Sequence, residues 1–410
     1  MRRAVNQDSL SVVLAESESG WEKFGHLFLV ADGMGAHAAG EMASRLAVEL
    51  IPHQYTKQQQ AQPSEALRRA LTEANAEIYR RGQANIEFRS MGTTASLLTL
   101  LPEGAVLAHV GDSRVYQLHG DHLYQLTFDH SLVWEMQAAG EVTDETARSG
   151  VIPKNVITRS LGPNAAVQVD IEGPFPYEVG DRFLLCSDGL SGQINDEEIG
   201  ALLRVLPPAK AAQIFVDLSN LRGGPDNITA IVVEIIDPLI ASHGQQTIYS
   251  RREPLDFSKF STMLGVVTAV CFLAALVFAV IQPPLAVVAG ILGLISLATG
   301  FVQLLLRREP AQADGSRYGK GPYRQFRATP NLSLFEHLAG TMKALREAAE
   351  ERKWKIDWTQ LDSLFSQARA AADGRDFTTA VRLQSQLIID LMQQIRTQRR
   401  DPASDSAIDL

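Results

Sequence analysis

Four carboxylates in this 410-residue chain stand at the ends of apolar runs, each beside glycine. His26-Leu27-Phe28-Leu29-Val30-Ala31 leads into Asp32-Gly33-Met34-Gly35, and Val106-Leu107-Ala108-His109-Val110-Gly111 leads into Asp112. Arg182-Phe183-Leu184-Leu185-Cys186-Ser187 leads into Asp188-Gly189, and Gly223-Gly224-Pro225-Asp226-Asn227 precedes the apolar run 228–236. Short apolar runs bounded by turn signals have the pattern of buried strands. Gly33 and Gly35 let the backbone turn sharply and approach whatever Asp32 binds. One Asp-Gly is an ordinary turn, but four at the strand ends of one sheet system can converge on a rim. Bare carboxylates gathered this way repel one another, and cations between them relieve the repulsion. An all-oxygen donor set, with no His or Cys at ligand spacing, suits the hard ions Mg2+ or Mn2+.

The elements that must position these acids follow from patterning. Strands are expected at 9–15, 93–101, 105–110, 123–126, 167–173, 182–187 and 228–236, with a polar turn at 16–20. Helices are expected at 38–55, 64–83, 196–206 and 208–221; in the second, Leu67, Leu71, Ala74 and Ile78 recur at helical spacing and define one apolar face. Residues 129–158 read as a helix with an irregular loop. Strands interleaved with pairs of helices predict an α+β fold, two sheet layers covered by helices.

These residues carry a resemblance. Residues 1–238 resemble the metal-dependent protein phosphatases of type 2C (the PPM family) in their bacterial form. The matching motifs, in the family's order, are Arg3-x-x-Asn6-Gln7-Asp8, Asp32-Gly33-Met34-Gly35, Gly92-Thr93-Thr94, Gly111-Asp112-Ser113-Arg114, Leu161-Gly162, Ser187-Asp188-Gly189-Leu190 and Gly224-Pro225-Asp226-Asn227. The resemblance implies a four-layer α-β-β-α sandwich of two antiparallel sheets flanked by helices, with two Mn2+ or Mg2+ ions, or three, at one edge. It implies hydrolysis of phosphoserine and phosphothreonine on proteins by a metal-bridged hydroxide. It further implies that Asp32 bridges two ions, that the Gly33 carbonyl binds one of them and that Asp188 and Asp226 bind the other. Asp8 would reach its ion through water, Asp112 with Asp188 would form a third site, and Arg3 would hold the substrate phosphate. Gln7 stands where many members carry Glu, and Met34 where eukaryotic members have a histidine. Phosphoproteins are the implied partners, with a cognate serine/threonine kinase as a further one.

Beyond the phosphatase-like part the composition shifts. Residues 239–258 read as a polar linker. Residues 259–308 contain two charge-free apolar runs, 260–281 and 285–306, broken by Gln282-Pro283-Pro284. Each run is long enough to cross a bilayer as a helix. Arg251, Arg252 and Lys259 on one flank and Arg307 and Arg308 on the other place both flanks in the cytoplasm. The expectation is therefore a multi-pass protein of the cell inner membrane or plasma membrane, with its catalytic and C-terminal parts cytoplasmic. Residues 309–330 read as a basic linker, 331–400 as a small all-α module for docking or self-association, and 401–410 as a disordered polar tail. In the module, Phe335, Leu338, Met342 and Leu345 share one helical face, and Ala380, Val381, Leu387, Leu391 and Ile395 another.

The net charge of −9 gives no support to a nucleic-acid partner. Two cysteines, Cys186 and Cys271, make no disulfide framework, which fits a reducing compartment. A catalytically inactive phosphatase fold acting as a scaffold is the alternative function. A scaffold has no need to keep a set of repelling acids. A part in a transport complex is a third reading, but the apolar runs carry no ionisable residue of the kind transport paths use.

Overall fold

The computed structural model describes residues 5–35, 38–143, 146, 151–153, 156–241, 262–306 and 318–400. The side chains of 262–266, 300–306 and 399–400 are outside the description. The expected linker 239–258 falls almost wholly outside it, as do the basic flanks Arg251, Arg252, Lys259, Arg307 and Arg308, and the tail 401–410. The chain divides into two units, 1–244 with 318–410, and 245–317.

The first unit is built on two antiparallel sheets. Strand β1 (Asp8–Val13), helix α1 (Glu18–Phe24), β2 (His26–Met34), helices α2 (Ala39–Lys57) and α3 (Pro63–Ala84), β3 (Gly92–Thr93), β4 (Ala95–Leu101) and β5 (Gly104–Val110) come first. They are followed by β6 (Arg114–His119), β7 (His122–Gln125), α4 (Leu132–Ala138), β8 (Asp170–Phe175), β9 (Arg182–Cys186), the single turn α5 (Asp188–Ser191), α6 (Asp196–Val205), α7 (Pro208–Leu221) and β10 (Ala230–Glu234). One sheet has the order β1-β2-β4-β5-β8, with β3 also paired to β2. The other runs β10-β9-β6-β7 and then a strand from far along the chain, β11 (Arg324–Arg327).

Every residue of β4 is buried. Its alternate residues Ala95, Leu97 and Leu101 join a core with Leu46, Ile51, Leu67, Leu71 and Ile78 of α2 and α3. The opposite face meets β6 and β9 across the sandwich. A strand covered on both sides loses the polar alternation of a half-exposed one, which is why these runs read as continuously apolar. The expected α3 face is the buried one, with Leu67, Leu71, Ala74 and Ile78 at 0% exposure. Helix α6 starts where Asn195 Oδ1 accepts the Glu198 N–H at 2.9 Å, and three acids occupy its first turn.

Three elements depart from the sequence expectation. The turn expected at 16–20 contains the start of α1, capped by Ser17, whose Oγ accepts the Gly20 N–H at 3.1 Å. Strand β6 begins two residues after Asp112, because Gly111 turns at φ +116 and the chain crosses directly to the second sheet. Within 309–330, read as a linker, Arg324–Arg327 forms β11 against β7, with Arg324 opposite Gln125 and Arg327 opposite His122. Its alternating polar residues fit an edge strand with one face to solvent.

Helices α10 (Leu332–Glu351), α11 (Trp358–Asp373) and α12 (Phe377–Arg400) are numbered after the pair in the second unit. Phe335, Leu338, Val381, Leu387 and Leu391 share one continuous core with Leu184, Leu202 and Phe215 of the phosphatase-like part. Asp217 on α7 is buried and ion-paired to Arg396 on α12. The inner seams expected within a separate bundle are spent largely on this shared core.

The second unit holds α8 (Thr262–Ile281) and α9 (Pro283–Leu306), joined at Gln282 and packed on each other. Thr268 Oγ1 donates to Ser296 Oγ at 3.0 Å between them. Among the described residues no helix is long and apolar enough to cross a membrane. The expected transmembrane hairpin, the membrane as a partner and the inner- or plasma-membrane localisation are corrected on this finding.

Candidate active site

The acid rim is assembled by close backbone approaches that tolerate only glycine. Asp8 and Asp32 are cross-strand partners in the β1–β2 ladder, so both acids lie at the same end of the first sheet. The Gly33 N–H donates to the Gln7 carbonyl at 3.1 Å. A Cβ on Gly33 would lie 2.1 Å from the Gly40 carbonyl oxygen, so α2 can start this close to β2 only because the side chain is absent. On the second sheet, β9 ends at Cys186 and hands Asp188 to the short turn α5. A Cβ on Gly189 would lie 1.9 Å from the Asn227 carbonyl oxygen, so the loops bearing Asp188 and Asp226 are pressed together. Gly111 is also tight, a Cβ there falling 2.5 Å from Thr94 Cγ2.

Five acids come together electrostatically. Burial, then the charges of Asp8, Asp188, Asp112 and Asp226, push the Asp32 carboxyl well above the usual range. Burial, then Asp188 and Asp129, push Asp112 to about 8 against the pull of Arg114. Burial also raises Asp8; hydrogen bonds oppose the rise, and the charge of Asp226 adds to it. Asp8, Asp32 and Asp112 are therefore held where the ionised form is disfavoured, the condition that a cation reverses. The Oδ1 atoms of Asp8 and Asp112 are buried without a hydrogen-bond partner. Among the described residues no three His, Cys, Asp or Glu side chains close into a ready-made metal cage; mutual repulsion of bare acids opposes such closure. Oxygen-only donors with orphaned buried lone pairs fit hard divalent cations. Asp8, Asp32, Gly33, Asp112, Asp188 and Asp226 are thus all brought to one rim. Arg3 lies outside the described residues.

Several neighbours support the rim in ways the sequence reading missed. Ser187 Oγ donates to Asp8 Oδ2 at 2.8 Å and accepts the Thr229 N–H at 3.0 Å, which ties the two sheets together at the acids. Asn227 Oδ1 accepts the Gln7 N–H at 2.9 Å, and its Nδ2 donates to the Val5 carbonyl at 3.2 Å. His130 Nδ1 accepts the Gly111 N–H at 3.0 Å, so Nε2 carries the proton and donates to Asp170 Oδ2 at 2.9 Å. That bond fixes the backbone just before Asp112. The signal for Ser187 and Asn227 was their adjacency to Asp188 and Asp226; nothing local marked His130.

Beside the rim opens a cavity of about 550 Å³. Asp112 and Asp188 form one wall, and Trp134 and Gln137 of α4 another. Arg324 and Phe326 of β11 complete it. Arg114 closes the floor through Asp129, with Nη2–Oδ2 at 2.7 Å and Nε–Oδ1 at 3.1 Å.

Comparison with known proteins agrees with this geometry. Residues 2–221 match the family described as Protein phosphatase 2C. The serine/threonine phosphatase stp of Listeria innocua is 36% identical over 213 residues, 51% of this chain and 84% of that protein. A crystal structure of the Mycobacterium tuberculosis serine/threonine phosphatase PstP/Ppp is 32% identical, covers 58% of this chain and 95% of its own, and has a TM-score of 0.50. A structure of the PstP catalytic domain in complex with two manganese ions is 32% identical, covers 58% and 94%, and has a TM-score of 0.49. The chain belongs to the protein phosphatase 2C family and is a serine/threonine protein phosphatase.

Proposed function

We propose that the rim of Asp8, Asp32, Asp112, Asp188 and Asp226 hydrolyses phosphoserine and phosphothreonine on proteins, the products of a serine/threonine kinase. The observation that carries this reading is the gathering of four other acids, from four separate stretches, around Asp32: Asp8 opposite it across the strand ladder, and Asp188 and Asp226 on two loops in direct contact. Divalent ions bound there would acidify water and absorb phosphoryl charge. Asp32 and the Gly33 carbonyl would hold one ion, with Asp32 shared by a second that Asp188 and Asp226 complete. Asp8 would act from further out, held in place by Ser187. Asp112 with Asp188 would make a third, weaker position. Arg3 would grip two phosphate oxygens through its planar guanidinium. The test is turnover of an aryl phosphate and of a phosphothreonine peptide by the full chain with Mn2+, with and without chelator. Metal-dependent cleavage of both, lost in Asp32→Ala, is the expected result. Cleavage that survives chelation and the substitution would overturn the reading.

A further inference from the structure

Strand β11 lies outside the family-matched stretch 2–221, yet its first residue lines the cavity beside the acid rim. The Arg324 guanidinium lies 3.9 Å from the centroid of the Trp134 ring and donates to Gln137 Oε1 at 3.4 Å. Both partners are on α4, one turn apart. The charge of Arg324 also acts on the buried Asp129, just before that helix. Tyr323 reaches α4 by a second route. Its ring is 5.4 Å from Phe128, and Phe128 meets the Trp134 ring edge-on at 5.2 Å and 88°. The start of β11 is thus fully engaged with α4 and the residues leading into it.

Those leading residues grip the chain on both sides of Asp112. The His130 N–H donates to the Gly111 carbonyl at 2.8 Å, and His130 Nδ1 accepts the Gly111 N–H at 3.0 Å. Asp129 pairs with Arg114, two residues beyond Asp112, at 2.7 Å. Asp129, His130 and α4 are nearly contiguous in the chain, so a shift of the helix is passed to the turn that carries Asp112. Helix α4 has little hold of its own. It is seven residues long and buries only Val133 and Trp134, and helices this short depend on outside contacts.

We propose that Arg324 is a positioning residue of the active site: by clamping Trp134 and Gln137 it fixes α4, and through Asp129 and His130 it fixes the turn bearing Asp112. This role rests on the phosphatase reading of the rim. A guanidinium over an indole is held by the negative face of the ring, and its planar fork sets direction as well as distance. The segment after the second unit is thereby a working part of the catalytic site.

The test uses the full chain and two readouts: amide hydrogen exchange over 129–138 without metal, and kcat and KM on an aryl phosphate with saturating Mn2+. Arg324→Met removes the cation and keeps most of the length of the side chain. Exchange over 129–138 should then quicken roughly tenfold. The value of kcat should fall by about the same factor while KM holds. Arg324→Lys should restore part of both. Trp134→Leu, which leaves β11 unaltered in sequence, should reproduce the two losses. Arg324→Met added to it should cost little more, since both changes remove one contact. Arg327→Met, on the same strand but outside the cavity lining, should change neither readout. Unaltered exchange over 129–138 in Arg324→Met overturns the clamp. Quicker exchange with wild-type kcat also overturns the positioning role, because the contact is then structural alone. Equal losses in Arg327→Met overturn it as well, since any weakening of β11 would then suffice. If the wild-type chain fails to hydrolyse the aryl phosphate, the reading of the rim falls, and the positioning role falls with it whatever the exchange shows.

Discussion

Gly189 and Asn227 approach so closely that a methyl group on the glycine would stand 1.9 Å from the asparagine's carbonyl oxygen. This contact sets the spacing of Asp188 and Asp226, which lie beyond the same end of the strand pair β9–β10, where Cys186 faces Ala230. Gly189→Ala should separate the two loops. Because sub-ångström misplacement of reacting groups is costly, turnover should fall by about a hundredfold. Steady-state kinetics with saturating Mn2+ and a melting curve check this; unchanged turnover would show that the spacing is not critical.

Asp32→Ala and Asp226→Ala should each lower turnover on the order of a thousandfold or more, since charge stabilisation is lost with the metal. The circular dichroism spectrum should be retained. Asp112→Asn should behave differently in the metal-free protein. It removes one of the mutually repelling acids, so the chelated variant should melt higher than the chelated wild type. A lower melting temperature would contradict the repulsion.

Chelation should lower the melting temperature of the wild-type chain. A ligand at a hundred times its Kd adds about 2.7 kcal/mol, and each kcal/mol shifts Tm by roughly 2–4 °C in a domain of this size. Differential scanning fluorimetry with graded Mn2+ should show the rise, and a flat response would count against the site.

Much of this rim was legible in the sequence, because apolar strand, acid and glycine are adjacent in the chain and each motif is local. Residues 67, 71, 74 and 78 were legible for the same reason, a single helix face. Helix α1 was hidden because its polar residues Glu18, Ser19 and Glu22 carry a turn-like composition and none of the helix is buried. Strand β11 was hidden because Arg324, Gln325, Phe326 and Arg327 have no apolar pattern of their own; pairing with β7 makes them a strand. Ser187 and His130 act through partners 179 and 40 residues away, contacts that no local window contains. The apolar runs at 260–281 and 285–306 read as spans because length and lack of charge were the only criteria available.

His109 gives a pH prediction. It is fully buried, its ring nitrogens at 2.9 Å from Ser96 Oγ and the Phe128 carbonyl, and burial, with the adjacent His130 ring adding to the effect, lowers it to about 3. The unfolded chain takes up this proton below about 6.5, whereas the folded chain does not until about pH 3. The stability contribution is therefore present above pH ~6.5 and is lost as the pH falls toward 3. His109→Gln should flatten the acid-side decline of Tm over that window. An unchanged slope would assign the decline to other groups.

Phe335 on α10 is 1% exposed and belongs to the core shared with α6 and α7. Phe335→Ala should cost about 3–5 kcal/mol and weaken the catalytic part with it, seen as one cooperative transition at lower denaturant. A variant that unfolds only the C-terminal helices, leaving aryl phosphate hydrolysis intact, would show two separable bodies.

The pairing of β7 with β11 also sets the timing of folding. Tyr124 and Gln325 are neighbours across 201 residues of chain. At ~5–20 residues per second, the ribosome needs roughly ten to forty seconds to make the segment that separates them. During that interval β7 is an unpaired sheet edge, and Leu123 and Leu202 lack part of their final cover. Exposed edges invite pairing with other chains, and contacts so distant in sequence form slowly. The nascent phosphatase part therefore has a period of vulnerability that ends only when its last strand and helices arrive.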